Sequence, residues 1–207
     1  MQTKTGVRTL CMLVVTLAVY LILWQWLSNY RQLPTYYYGR LIELLSMLLF
    51  VGLALFTPME FSEMGIFSSR GTVLRSLLEG VLVSAVFVLG LCLFRVCAGQ
   101  PLLFSLNIRG DISRLTYFLV APFQEILAKS VMLYSFELVF EKKHPVPAMA
   151  LSVLTFGAFH VVYGIRMMAL SMLLCLVTGV MFLKNRSVWG CAVAHFSCGF
   201  FPLCLGF

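Results

Sequence analysis

The sequence predicts an all-α fold, a polytopic membrane helix bundle of about seven transmembrane helices. Three observations carry that prediction: 61% of the 207 residues are hydrophobic, only 11% are charged, and the mean hydropathy is +0.96. Soluble domains carry about a quarter charged residues, so a chain this apolar is built for lipid. The net charge of +7 is spread over short polar stretches between apolar runs. That distribution suits topology setting and lipid headgroups, and no nucleic-acid partner is expected. The seven cysteines form no CxxC and mostly fall within apolar runs, where Cys acts as a small hydrophobe. Neither a disulfide framework nor a zinc knuckle is expected.

Each element follows in order. Thr9 to Leu27 is the first run long enough to span. Its apolar part outlasts the roughly 7 to 15 residues of a signal-peptide core. It ends in Trp24 and Trp26, and no small-x-small cleavage site follows, so it reads as a helix with an aromatic belt. Residues 28–40, with Pro34, read as a loop at the headgroups. Leu41 to Phe56 is the second span, closed by Thr57-Pro58, with Glu43 near enough to its start to reach interfacial water. After a loop or surface helix over 59–72, the third span covers Val73 to Val96, where Arg75 and Glu79 stand at i, i+4 and can pair at a solvated end.

Cys97 to Arg114 reads as a linker, with Gly99, Pro101, Asn107, Gly110 and Asp111. It divides an N-terminal three-helix part with its linker, 1–114, from a four-helix core, 115–207. Helix 4 covers Leu115 to Phe140, with Pro122 placed to free a backbone carbonyl. After the polar turn 141–147, helix 5 begins near Ala148 and carries Phe156 and His160 one turn apart on one face. Helix 6 covers Met167 to Leu183, with Gly179 available for close helix approach. The basic turn 184–187 leads to helix 7, Val188 to Phe207. An N-terminus inside puts eight Lys and Arg on the cytoplasmic side against six on the other, which favours that orientation. The expected location is the cell membrane, as an integral multi-pass protein.

The candidate chemistry sits in Ala121 to Leu133, APFQEILAKSVML, where Gln124, Glu125 and Lys129 interrupt an apolar run. An ionisable group at membrane depth costs roughly 2.5 to 3.5 kcal/mol even on lenient insertion scales, so it is a functional-site hypothesis by default. His160 and His195, on two later helices, are its possible partners. One carboxylate and two imidazoles can activate water for attack on a carbonyl and hold the oxyanion. The same three, Glu125, His160 and His195, can instead bind zinc with an open position. HExxH and GxSxG are both absent from the chain, which speaks against the common zinc-protease and serine-hydrolase signatures. The plain alternative is structural: Glu125 and Lys129 as a neutralising i, i+4 pair and each His as an interhelical hydrogen bonder. A transporter is a weaker option, since no paired inverted repeats are visible.

Together these stretches resemble the CAAX prenyl protease and bacteriocin-processing (Abi) family of glutamic-type intramembrane endopeptidases. Its motifs are EExxxR, then FxxxH, then HxxxN or HxxxD, on successive helices. Gln124 to Lys129 resembles the first, Phe156 to His160 meets the second in full, and His195 to Gly199 resembles the third. The departures fall on polar positions. Gln124 stands where the family has the glutamate thought to activate water, Lys129 replaces a planar guanidinium, and Gly199 lacks the Asn or Asp side chain. The resemblance implies an endopeptidase cleaving a membrane-associated hydrophobic or prenylated peptide. In that reading Glu125 and His160 activate water, His195 holds the oxyanion, and Gln124, Lys129, Phe156 and Gly199 support them, with no cofactor required. The departures keep a second reading open, that of a catalytically inactive homologue acting in membrane binding, immunity or scaffolding.

Overall fold

The computed structural model describes residues 2–31, 35–56, 63–105 and 112–206, and all the regular structure among them is helical. In chain order the elements are α1 (Gln2–Arg31), α2 (Thr35–Phe56), α3 (Arg70–Cys97) and α4 (Ile112–Glu125), then a π-helical stretch (Ile126–Leu133), α5 (Tyr134–Val139), α6 (Pro145–Phe159), a 3-10 turn (Val161–Tyr163), α7 (Ile165–Asn185) and α8 (Val188–Leu205). Gly6–Asn29, Arg70–Cys97 and Ile165–Asn185 are long and apolar enough to cross a membrane. Leu78, Leu82, Val86, Leu89 and Leu93 stand exposed along α3. Lipid tails are as apolar as these side chains and leave them no reason to pack inward. The protein is an integral membrane protein with an all-α bundle fold.

Because apolar contact alone does not hold helices together in lipid, close backbone approach has to do it. On α3 the small residues Ser76, Gly80 and Ser84 are buried at intervals of four, hence on one face. They meet α8 at Gly190: the Gly190 amide donates to Ser76 Oγ at 3.0 Å, and a Cβ at either Gly80 or Gly190 would overlap the backbone of the other helix. Between α6 and α7 glycines instead make room for side chains, the Met149 tip lying over Gly179 and Met172 over Gly157. The core between them holds Leu13 and Tyr20 of α1, Leu127 and Val131 of the π stretch, Phe156 and Phe159 of α6, and Phe182 of α7.

α4, the π stretch and α5 form one continuous rod, ended by Glu141 and Lys142 in left-handed conformations. Over the end of the bundle lies a short strap, residues 63–68. Its Gly65 carbonyl accepts from the Val188 amide at 3.1 Å, its Ile66 carbonyl from Trp189 Nε1 at 3.1 Å, and its Met64 carbonyl from Ser130 Oγ at 2.5 Å. Met64 itself is fully buried.

Several boundaries differ from the sequence-based expectation. The loop expected over 28–40 is mostly helix, since α1 runs through Arg31 and α2 begins at Thr35. Polar and aromatic side chains there do not oppose helix, and Glu43 consequently sits two turns into α2, paired with Arg40. Arg75 is not the partner of Glu79, which is held across helices by Lys184 and Asn185. α6 starts at Pro145, a residue suited to the first helical turn. Helix 4 is not α-helical throughout, being π over Ile126–Leu133. Pro34, Thr57-Pro58, and Asn107, Gly110 and Asp111 of the expected linker lie outside the described residues.

Candidate active site

Glu125 closes α4 at the junction with the π stretch, and Lys129 lies one turn on within it. Both side chains are 0% exposed, with Lys129 Nζ 3.6 Å from Glu125 Oε2. That separation is outside direct hydrogen bonding. The ammonium instead donates to the Cys175 carbonyl and contacts Cys175 Sγ, each at 3.2 Å, and stands 5.8 Å from the centre of the Phe156 ring. The other oxygen, Glu125 Oε1, lies 2.8 Å from His195 Nδ1 on α8. Thr178 of α7 places its hydroxyl 3.5 Å from the same oxygen while donating to the Leu174 carbonyl at 2.9 Å. Glu125 Oε2 is buried with no hydrogen-bond partner among the described residues.

The tautomers follow from these partners. A carboxylate only accepts, so His195 carries a proton on Nδ1, and in its neutral form Nε2 holds the lone pair. His160, the residue that ends α6, sets Nδ1 2.8 Å from the Phe156 carbonyl. The same logic leaves its Nε2 as an acceptor. The two imidazoles flank one ring: Phe156 lies 4.6 Å from His160 and 6.1 Å from His195, centroid to centroid.

Glu125, Lys129 and His195 are therefore brought together, with His160 against the Phe156 ring and Gln124 half-buried. Two of the three candidate zinc ligands converge. His160 does not join them in a ligand set, and among the described residues no three His, Cys, Asp or Glu gather as a metal ion would need.

Sequence reasoning passed over Thr178, Cys175 and Tyr117. The first two were polar or soft residues within an apolar helix, with no spacing to mark them. Tyr117 stands two turns before Glu125 on the same face of α4. A Cβ added at Gly199 would overlap its hydroxyl. The missing side chain of the third motif is thus no vacancy: a tyrosine from the neighbouring helix fills the space, stacked on Phe196 and edge-on to His195 at 6.2 Å.

Residues 112–201 match the family model of type II CAAX prenyl endopeptidase, Rce1-like. The matched segment spans the three motif-like stretches, of which Phe156 to His160 is met in full, and bears out the resemblance read from them. No curated protein and no solved structure matches the chain.

Proposed function

We propose that this membrane protein, similar over residues 112–201 to type II CAAX prenyl endopeptidases, is a multi-pass intramembrane endopeptidase of the cell membrane that hydrolyses a hydrophobic or prenylated peptide. The observation that carries the reading is the buried Glu125–His195 pair with its orphan Oε2. A carboxylate in a lipid-facing bundle is costly to retain without a task, and among the described residues this one is held through one oxygen, closely by an imidazole and at 3.5 Å by the Thr178 hydroxyl. Glu125 is 0% exposed, with His195 and Thr178 against Oε1 and Lys129 beside Oε2, and its part in this reading is to orient the imidazole. It fixes the tautomer and orientation of His195 and stabilises the imidazolium that forms when Nε2 takes a proton from water. The water-activating step thereby falls to His195 instead of to Glu125 directly, and His160 supplies a second imidazole Nε2 beside the substrate. Lys129 places its ammonium beside the carboxylate, 3.6 Å from Oε2. A positioned general base of this kind contributes about 10² to 10⁴ in rate. The reading routes no step through a metal, so a chelator is expected to leave turnover unchanged.

A second reading is favoured by one observation, Gln124 in place of the family glutamate beside a Glu125 sealed by Lys129. It holds that catalysis has been lost and that the helix bundle binds a hydrophobic partner. Detergent-purified wild type, Glu125→Ala, His195→Ala and Gln124→Glu, each offered farnesylated and unmodified quenched peptides, separate the two. Cleavage by wild type that is lost in Glu125→Ala and His195→Ala supports the endopeptidase. Silence from wild type together with cleavage by Gln124→Glu overturns it in favour of the binding protein.

A further inference from the structure

We propose that the Tyr117 hydroxyl is the donor that receives the oxyanion during peptide hydrolysis, a role its neighbour Gly199 has no side chain to fill. This rests on the endopeptidase reading and adds a residue to it. A hydrolytic site needs a fixed donor aimed at the carbonyl oxygen, because charge develops there as water attacks. Around the dyad most donors are already engaged. Thr178 gives its proton to the Leu174 carbonyl, Ser152 points at the Ala128 carbonyl 3.4 Å away, the Cys191 thiol donates to the Thr178 carbonyl, and Lys129 is taken up by Cys175. Tyr117 is a donor at neutral pH. Among the described residues no acceptor for its hydroxyl lies within hydrogen-bond reach.

Its position is built by two helices. Tyr117 and Glu125 lie two turns apart on one face of α4, and His195 and Gly199 one turn apart on one face of α8. The Glu125–His195 contact therefore sets the antiparallel register that lays Tyr117 over Gly199. Stacking on Phe196 and the hollow at Gly199 hold the ring, so the donor is in place before reaction, as effective oxyanion donors are.

The step balances as follows. The oxygen of water bonds to the carbonyl carbon, the π pair moves onto the carbonyl oxygen, and His195 Nε2 takes the water proton. Tyr117 donates a hydrogen bond to the oxyanion and keeps its proton. The carbonyl then re-forms, the C–N bond breaks, and His195 returns the proton to the leaving amine.

The test uses the full chain in detergent with farnesylated and unmodified quenched peptides. Tyr117→Phe retains the ring and its packing, and kcat is expected to fall about a hundredfold with KM and the melting temperature unchanged. Gly199→Asn alone is expected to lower kcat as well, because the new side chain displaces the hydroxyl. Combined with Tyr117→Ala, Gly199→Asn returns a donor to the same space and should raise kcat at least about tenfold over Tyr117→Ala. A Tyr117→Phe enzyme within threefold of wild type, or one altered in KM alone, overturns the assignment and leaves the endopeptidase standing. A wild type that cleaves nothing overturns both.

Discussion

Two buried carboxylates in this protein sit about three turns apart on the same rod and are treated in opposite ways. At the strap end of the bundle, Glu137 is 3% exposed, and both of its oxygens are taken by Arg186, each at 2.6 Å. Around it Glu63 accepts from Lys142 and from Tyr134, the latter at 3.0 Å. Deeper in, Glu125 has a lysine too far for a direct bond, one oxygen approached by His195 and Thr178, and the other without a hydrogen-bond partner among the described residues. Bidentate pairing is the strong and orienting form of the charged hydrogen bond. A buried charge with loose partners instead retains much of its desolvation penalty. The outer cluster is built for holding α5 to the α7–α8 turn. The inner one keeps binding capacity in reserve, which is what a reacting group requires.

The sharpest way to break this contrast is to remove the inner pair together. Glu125→Gln with Lys129→Met should lower turnover at least about a thousandfold, or about 4 kcal/mol of transition-state stabilisation. The unfolding midpoint should be no lower than that of wild type, since replacing a buried ion pair is often neutral or stabilising. A large loss of stability would make the inner pair structural after all.

Arg186→Ala should do the reverse. It strands a buried Glu137 and should cost about 2 to 3 kcal/mol, less than for a fully buried pair because the Arg186 side chain is 43% exposed. Turnover per folded molecule should stay within about twofold, and adding Glu137→Gln should recover most of the stability, which urea unfolding in mild detergent would read.

The smallest effect concerns pH. The hydrogen bond from Lys142 holds Glu63 below the usual carboxylate range, with Tyr134 assisting and desolvation opposing. A depressed value means that the folded state resists protonation. The contribution is therefore complete above about pH 4.3 and is lost as pH falls through the lower folded value. With its side chain 37% exposed, Glu63 should contribute less than about 1 kcal/mol after screening. Glu63→Gln should flatten the acid limb of the melting curve by that amount, and an unchanged limb would remove Glu63 from the outer cluster.

Much of the architecture was legible because membrane helices announce themselves by composition. The runs around Thr9–Leu27, Val73–Val96 and Met167–Leu183 each lie within an observed helix. The motif residues were legible as intruders: Glu125 and Lys129 stand out in an apolar run, and the Phe156 and His160 rings do meet, tilted at 4.6 Å. Partner choice across helices was less visible. Nothing local tells Glu79 to pair with Lys184 instead of Arg75, because that depends on the glycine contact of α3 with α8. Nor does periodicity reveal that the space at Gly199 belongs to Tyr117, eighty-odd residues earlier in the chain. A small residue reports only that something approaches, and it takes the packed bundle to say what.

The π-helical stretch Ile126–Leu133 also bears on how this chain tolerates changes in length. Hydrogen bonds closed over five residues instead of four accommodate additional chain within a helix. Deleting one residue there lets the stretch tighten to α-helix with Glu125 on one flank and Glu137 on the other both kept facing inward. The same deletion in the middle of α7 turns everything beyond it by about 100° and takes Thr178 or Arg186 out of place. Single-residue gain and loss should thus concentrate between Ser130 and Leu133, beyond Lys129, making that stretch the rod's natural site of length variation.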